Sequence, residues 1–152
     1  MKFNRRRLVK LFGLSILSIS IPINYLFASA KKIINSKLSD QQKNIMFNEG
    51  TERPFSSKLL NEKRKGFYHC ANCGNKLFAS NSKFDSGTGW PSFSEALPGA
   101  FKTKTDYSFG MERVEYHCAK CGAHHGHVFN DGPRESGKRF CSNGLCLIFK
   151  PE

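Results

Sequence analysis

The 152 residues predict a mainly β fold with a minor helical part. Three observations carry that expectation. The stretch 66–70 (Gly-Phe-Tyr-His-Cys) looks extended, and 107–117 and 140–149 alternate apolar with polar side chains as strands do. Two matched Cys-x-x-Cys-Gly units each follow such an aromatic-rich stretch. The one clear helical signal is short and precedes them all. A chain of this length suits one domain with enough core to fold alone.

In order along the chain, residues 1–30 read as a removable leader. Lys2, Arg5, Arg6, Arg7 and Lys10 precede an apolar run from Leu11 to Phe27, closed by Ala28-Ser29-Ala30. That is the tripartite pattern of a secretory signal. Asn4-Arg5-Arg6-Arg7-Leu8-Val9-Lys10 resembles the twin-arginine motif, which implies periplasmic export of a folded protein and only transient contact with the membrane. The alternative is a retained anchor, for which the run, broken by serines and Pro22, is marginal. The net charge is +12, and without the leader's five cations 19 basic residues face 12 acidic ones. These charges are scattered, so they are read as solvated surface, and no nucleic-acid partner is expected.

Residues 31–37 read as a linker to a domain spanning 38–152. Ser39-Asp40-Gln41-Gln42 fits a capping box, with the helix reaching about Phe47, Ile45 and Met46 inward, and an end near Gly50. Pro54 forbids its continuation. A second helical turn is weakly signalled at 57–61. Within 107–117, Met111 and Val114 are the expected interior positions.

Cys70-Ala71-Asn72-Cys73-Gly74 and Cys118-Ala119-Lys120-Cys121-Gly122 are two copies of one device. Each sets two thiolates on a tight turn, and two such turns supply the four soft ligands of a closed, structural zinc site holding one ion and joining distant strands. A pair of disulfides or a redox-active Cys-x-x-Cys is the rival.

The loop Ser86-Gly87-Thr88-Gly89-Trp90-Pro91-Ser92-Phe93 is too glycine-rich for a regular element and holds the only Trp. It is read as presenting the Trp90 indole to a site rather than to the core. Near the carboxyl end, Cys141 lies between Arg139 and Asn143. On a strand the three share a face, and a nearby cation lowers a thiol pKa, so Cys141 is the candidate nucleophile.

Together these segments closely resemble the B-type methionine sulfoxide reductases, which reduce the R epimer of methionine sulfoxide in peptides and proteins. The matches are Thr51-Glu52-Arg53-Pro54-Phe55, both Cys-x-x-Cys-Gly units, 86–93, His124-His125-Gly126-His127-Val128-Phe129-Asn130-Asp131-Gly132-Pro133 and Arg139-Phe140-Cys141-Ser142-Asn143-Gly144. The resemblance implies two antiparallel sheets with a few peripheral short helices and a zinc ion away from the active site. It also implies roles: Cys141 attacks the sulfoxide sulfur and becomes a sulfenic acid. His124 and His127 position and protonate the oxygen, with Asn143 as their hydrogen-bond partner. Trp90 walls the substrate methyl and Arg139 supports Cys141. His125 matches no role. The implied partners are methionine-sulfoxide-containing proteins and a thioredoxin-like or small-thiol reductant, and a monomer is expected.

One departure concerns recycling. Many family members carry a resolving cysteine in the 86–93 loop, where this chain has Thr88. Cys146 remains, but along an extended strand it would lie roughly 16 Å from Cys141, and a disulfide needs under about 7 Å. Cys146 is therefore expected in the core, with Cys141 reduced by an external thiol. The alternative to an enzyme is a non-enzymatic zinc-ribbon-like binding module, which would have no use for the Trp90/His124/His127/Cys141 set.

Overall fold

The computed structural model describes residues 31–152, so the expected leader lies outside the described residues. Nine strands form two antiparallel sheets. The smaller holds β1 (Gly66–Cys70), β2 (Lys76–Ala79) and β9 (Leu147–Pro151), in the order β2-β1-β9. The larger holds β3 (Lys83–Phe84), β4 (Ser92–Phe93), β5 (Phe101–Asp106), β6 (Arg113–Cys118), β7 (His124–Phe129) and β8 (Arg139–Ser142). Its order is β3-β4-β8-β7-β6-β5. The mainly β expectation and the two sheets are confirmed.

Aromatic side chains fill the space between the sheets. Tyr68 and Phe78 from the small sheet meet Phe93, Phe101, Tyr116 and Phe140 from the large one. Phe78 stacks on Phe93 with centroids 4.0 Å apart, and Tyr68 meets Phe93 edge-on at 4.8 Å. Tyr68, Phe78, Phe93 and Tyr116 are each 0 % exposed. Burial of such a side chain contributes about 1.5–3 kcal/mol.

The helix α1 (Asp40–Asn48) starts as its capping box requires: Ser39 Oγ accepts from Gln42 N–H, and Gln42 Oε1 accepts from Ser39 N–H at 2.9 Å. Gln42 also donates through Nε2 to the Leu145 carbonyl at 2.9 Å, tying the helix start to the carboxyl-terminal segment. Ile45 and Met46 face inward as expected. The end differs. Glu49, not Gly50, takes the left-handed position at φ 59°. The strain of a side chain there is offset by two ion pairs from its carboxylate, to Lys104 at 2.6 Å and Lys31 at 2.8 Å. Hydrogen bonds from Lys104 and then Lys31 hold that carboxyl down to about 2.

Two strand expectations are corrected. Residues 107–117 are not one strand: a 3-10 turn at Ser108–Gly110 precedes β6, and Met111 and Val114 are exposed, at 58 % and 44 %. The alternation does not hold: within β6 the adjacent Glu115 and Tyr116, and not Val114, are buried. Residues 140–149 are also broken. β8 ends at Ser142, a 3-10 turn occupies Gly144–Cys146, and β9 joins the other sheet. The extended-chain separation of Cys141 and Cys146 therefore does not apply. Cys146 is nonetheless in the core, at 0 % exposure. The weak signal at 57–61 is a 3-10 turn over Lys58–Asn61.

Residues 31–37 run along the two cysteine turns. Lys32 N–H donates to the Cys121 carbonyl at 3.1 Å, and the Asn72 side chain accepts from Ile34 and Asn35 N–H while donating to the Lys32 carbonyl.

Candidate active site and metal centre

β1 and β6, one from each sheet, both end on the first cysteine of a turn. In each copy the glycine after the second cysteine donates back to the first, Gly74 to Cys70 at 2.8 Å and Gly122 to Cys118 at 2.9 Å. Both glycines have φ near 70°, a conformation that favours Gly. The repeated turn brings Cys70, Cys73, Cys118 and Cys121 together with all four sulfurs within 4.8 Å of one another. Cys73 to Cys118 is 3.5 Å and Cys70 to Cys121 is 3.8 Å. A tetrahedron with metal–sulfur arms of about 2.3 Å has edges of roughly 3.8 Å, so the cluster fits a thiolate-bound metal. Hydrogen bonding to Cys118 and Cys121, then burial, pushes the Cys70 thiol up, while Cys118 is pulled down by Cys121 and Cys70. A divalent cation lets all four ionise. None of the six cysteines forms a disulfide in the described residues.

The second site is built on β8. Its register sets Cys141 opposite His127 of β7 on one side and Ser92 of β4 on the other. Directly opposed residues share a face of the sheet. A Cβ at Gly126 would collide with the Cys141 carbonyl, so this glycine is what lets β7 lie so close to the cysteine. Behind the strand, Tyr116 donates to the Cys141 carbonyl at 3.2 Å and its hydroxyl also bonds Ser142.

A cavity of about 130 Å³ opens over Cys141, walled by Trp90, His127, Phe129, Arg113 and Asn143. Trp90 is half-buried and its indole N–H donates to the Glu52 carbonyl at 3.1 Å. Of the expected set, Cys141, His127, Trp90 and Asn143 thus line one cavity. His124 does not. It is 1 % exposed and sits behind, in a neighbouring cavity that also touches His127, with ring centroids 5.5 Å apart. The two histidines are three residues apart, a spacing that points to opposite faces of a regular strand. A register shift at Tyr116/His117 inserts an extra residue and puts both on one side. The displaced His125 turns into the core beside Phe101 and Tyr116, and burial drives its pKa down to about 3, keeping it neutral.

Each of the paired histidines has a carboxylate partner that was not singled out in the sequence. His124 Nδ1 bonds Glu115 at 2.8 Å and His127 Nε2 bonds Asp106 at 2.8 Å. Burial pushes the Glu115 carboxyl up, but His124 and Lys104 outweigh it and the net shift is down. Backbone and side-chain bonds from Ser108, with His127 and Arg113, hold Asp106 well below the usual carboxylate range. Asp106 is therefore an acceptor, which assigns the proton to His127 Nε2 and leaves Nδ1 as a free lone pair. Burial lowers the His127 pKa despite Asp106, so the ring is neutral at pH 7. A buried glutamate inside an aromatic strand, Glu115, was the one available sequence signal.

Two expected roles are altered by the geometry. Arg139 lies two residues from Cys141 on the same strand, but it is held by Asp131 through two 2.8 Å bonds and lies 4.4 Å over the Phe129 ring. Burial consequently wins, and the Cys141 pKa is raised rather than lowered; Arg139 and the Thr88 hydroxyl pull it part of the way back. Asn143 does share the cavity with Cys141, but its amide is engaged by the backbone. Oδ1 accepts from Glu52 N–H at 2.9 Å and Nδ2 donates to the His125 carbonyl at 3.1 Å.

The SelR domain family matches residues 38–151. A peptide methionine sulfoxide reductase MsrB of Methanosarcina barkeri is 49 % identical over 116 residues, 76 % of this chain and 82 % of that protein. The protein of the same name from Photorhabdus laumondii is 50 % identical over 117 residues, 76 % of this chain and 86 % of its own length. That of Agrobacterium fabrum is 47 % identical over 116 residues, again 76 % and 86 %. With the family matched over nearly all the described residues and about half of the aligned positions shared with such relatives, the chain belongs to the SelR-domain family of MsrB methionine sulfoxide reductases.

Proposed function

We propose that this chain reduces the R epimer of methionine sulfoxide in peptides and proteins, with Cys141 as the nucleophile. The observation that carries the reading is the opposition of Cys141 and His127 across β7 and β8 in a cavity walled by the only Trp. At about 130 Å³ the cavity is well below the roughly 300–1,000 Å³ of a cofactor or drug-sized pocket, and suits the methyl sulfoxide end of one side chain.

The resting site is a neutral thiol beside a neutral imidazole. As the Cys141 sulfur attacks the sulfoxide sulfur, its proton passes to His127 Nδ1 and on to the sulfoxide oxygen, which must be protonated to leave sulfur. Asp106 stabilises the transient imidazolium. Glu115 fixes the His124 ring that packs against it. The oxygen then transfers to Cys141: thiol plus sulfoxide gives thioether plus cysteine sulfenic acid, a two-electron exchange. Two equivalents of an external thiol, or one dithiol protein such as a thioredoxin-like donor, reduce the sulfenic acid and release water. Burial of Cys146 and the Thr88 hydroxyl beside Cys141 support recycling from outside the chain.

The four-cysteine cluster holds one zinc ion in this reading; it supplies no chemistry to the reaction and joins the two sheets. Residues 1–30 direct export to the periplasm and are removed. A binding module without activity has no single observation in its favour. The test is turnover of separated R and S epimers of a methionine-sulfoxide peptide with dithiothreitol. The parent should act on R alone and Cys141→Ser on neither; activity in Cys141→Ser would refute the assignment.

A further inference from the structure

Glu52 belongs to the Thr51–Phe55 motif, to which neither the fold nor the chemistry has yet given a part. It is 2 % exposed, and all of its polar groups point at the site. Its N–H donates to Asn143 Oδ1 at 2.9 Å. Its carbonyl accepts the Trp90 indole N–H at 3.1 Å. Its carboxylate accepts from Gly144 N–H through Oε1 and from Leu145 N–H through Oε2, the latter at 3.1 Å. One residue from the segment before β1 therefore touches the indole wall, the amide beside the nucleophile and the turn that ends the nucleophile's strand.

We propose that Glu52 is a positioning residue for sulfoxide reduction, locking Trp90, Asn143 and the Gly144–Leu145 turn into one rigid frame around Cys141. The proposal rests on the reductase reading above and deepens it. The wall sits in the loop before β4 and the nucleophile on β8, 51 residues apart in sequence. Pairing of β4 with β8 and a bond from Ser142 N–H to the Pro91 carbonyl join their backbones, and Glu52 adds the link from the indole itself to the residues that follow Cys141. A displacement of about 1 Å between a reacting atom and its substrate wall can cost two orders of magnitude in rate. A carboxylate is also the right group: two backbone N–H donors face it, and both oxygens can accept. A glutamine in its place must turn its NH2 towards one of those donors.

The test uses the full-length zinc-loaded protein and Glu52→Gln, with turnover on the R-sulfoxide peptide, iodoacetamide alkylation of Cys141 and fluorescence of the single tryptophan. The expected result is a folded, zinc-loaded variant whose kcat/KM falls about tenfold or more, whose indole emission shifts and is more readily quenched by acrylamide, and whose Cys141 is still alkylated. A small reagent needs no indole wall, so thiol reactivity survives where sulfoxide turnover does not. Parent-like turnover overturns the proposal, as does a turnover loss with unchanged indole emission, which would make Glu52 merely structural. Should Glu52→Gln not fold, hydrogen exchange in the unmodified protein decides. The Trp90 indole proton and the Gly144 and Leu145 amides should be strongly protected; rapid exchange of any of them overturns the frame. An inactive parent would instead refute the reductase reading, and the indole and amide measurements would still report on Glu52 by themselves.

Discussion

At the scale of single residues the site is governed by competition between burial and charge at Cys141. A guanidinium two residues away on the same strand face was expected to favour the thiolate. Asp131 compensates that cation, and desolvation raises the thiol above its ordinary range. The sign of the pH dependence follows. The thiol form dominates at neutral pH, and the thiolate grows in as pH rises through a value above the ordinary one of about 8.5. Alkylation of Cys141 should therefore accelerate with a midpoint on the alkaline side of that value. Thr88→Ala, which removes a hydroxyl that lowers the thiol pKa, should move the midpoint further up. A midpoint below neutrality, measured by iodoacetamide kinetics on the zinc-loaded protein, would contradict this ordering of burial over charge.

At the scale of elements, close strand approach does the positioning. Gly126→Ala places a methyl group on the Cys141 carbonyl and must push β7 from β8. The expected cost is about 1–3 kcal/mol of stability, with a disproportionate loss of turnover because His127 moves with its strand; thermal melts beside activity assays check it. Ser39→Ala should lose about 1 kcal/mol in urea unfolding with turnover little changed, since neither Ser39 nor its partner Gln42 lines the cavity. The elements readable in the sequence were the local ones. Ser39 and Gln42 satisfy each other within one turn, and each Cys-x-x-Cys-Gly turn closes on its own backbone, so spacing alone predicted them. What was hidden depended on distant partners. Residues 140–149 alternate like one strand, but Gly144 and Leu145 give their N–H groups to the Glu52 carboxylate instead of a neighbouring strand. Likewise the bulge that brings His124 and His127 to one side is a property of the β6–β7 pair, which neither segment shows alone. Asp106 was invisible as a partner of His127 because only the β5–β6–β7 order brings them together.

At the scale of the molecule, two sheets share an aromatic core and are joined at one end by four cysteines, two from each turn. If that cluster holds zinc, the metal is part of the folding free energy rather than of the reaction. Chelation should collapse near-UV circular dichroism and turnover in parallel, with stoichiometric release of one zinc per chain; release of metal without loss of tertiary signal would show the sheets need no such link. The reaction itself is tested most directly by a single turnover without reductant. The enzyme is mixed with excess R-sulfoxide peptide, the methionine peptide formed is counted, and Cys141 is probed by dimedone trapping and mass spectrometry. One equivalent of thioether per chain, with Cys141 recovered as the sulfenic acid adduct, is the expected result. An equal burst from Cys141→Ser, or oxygen found on another cysteine, would contradict it.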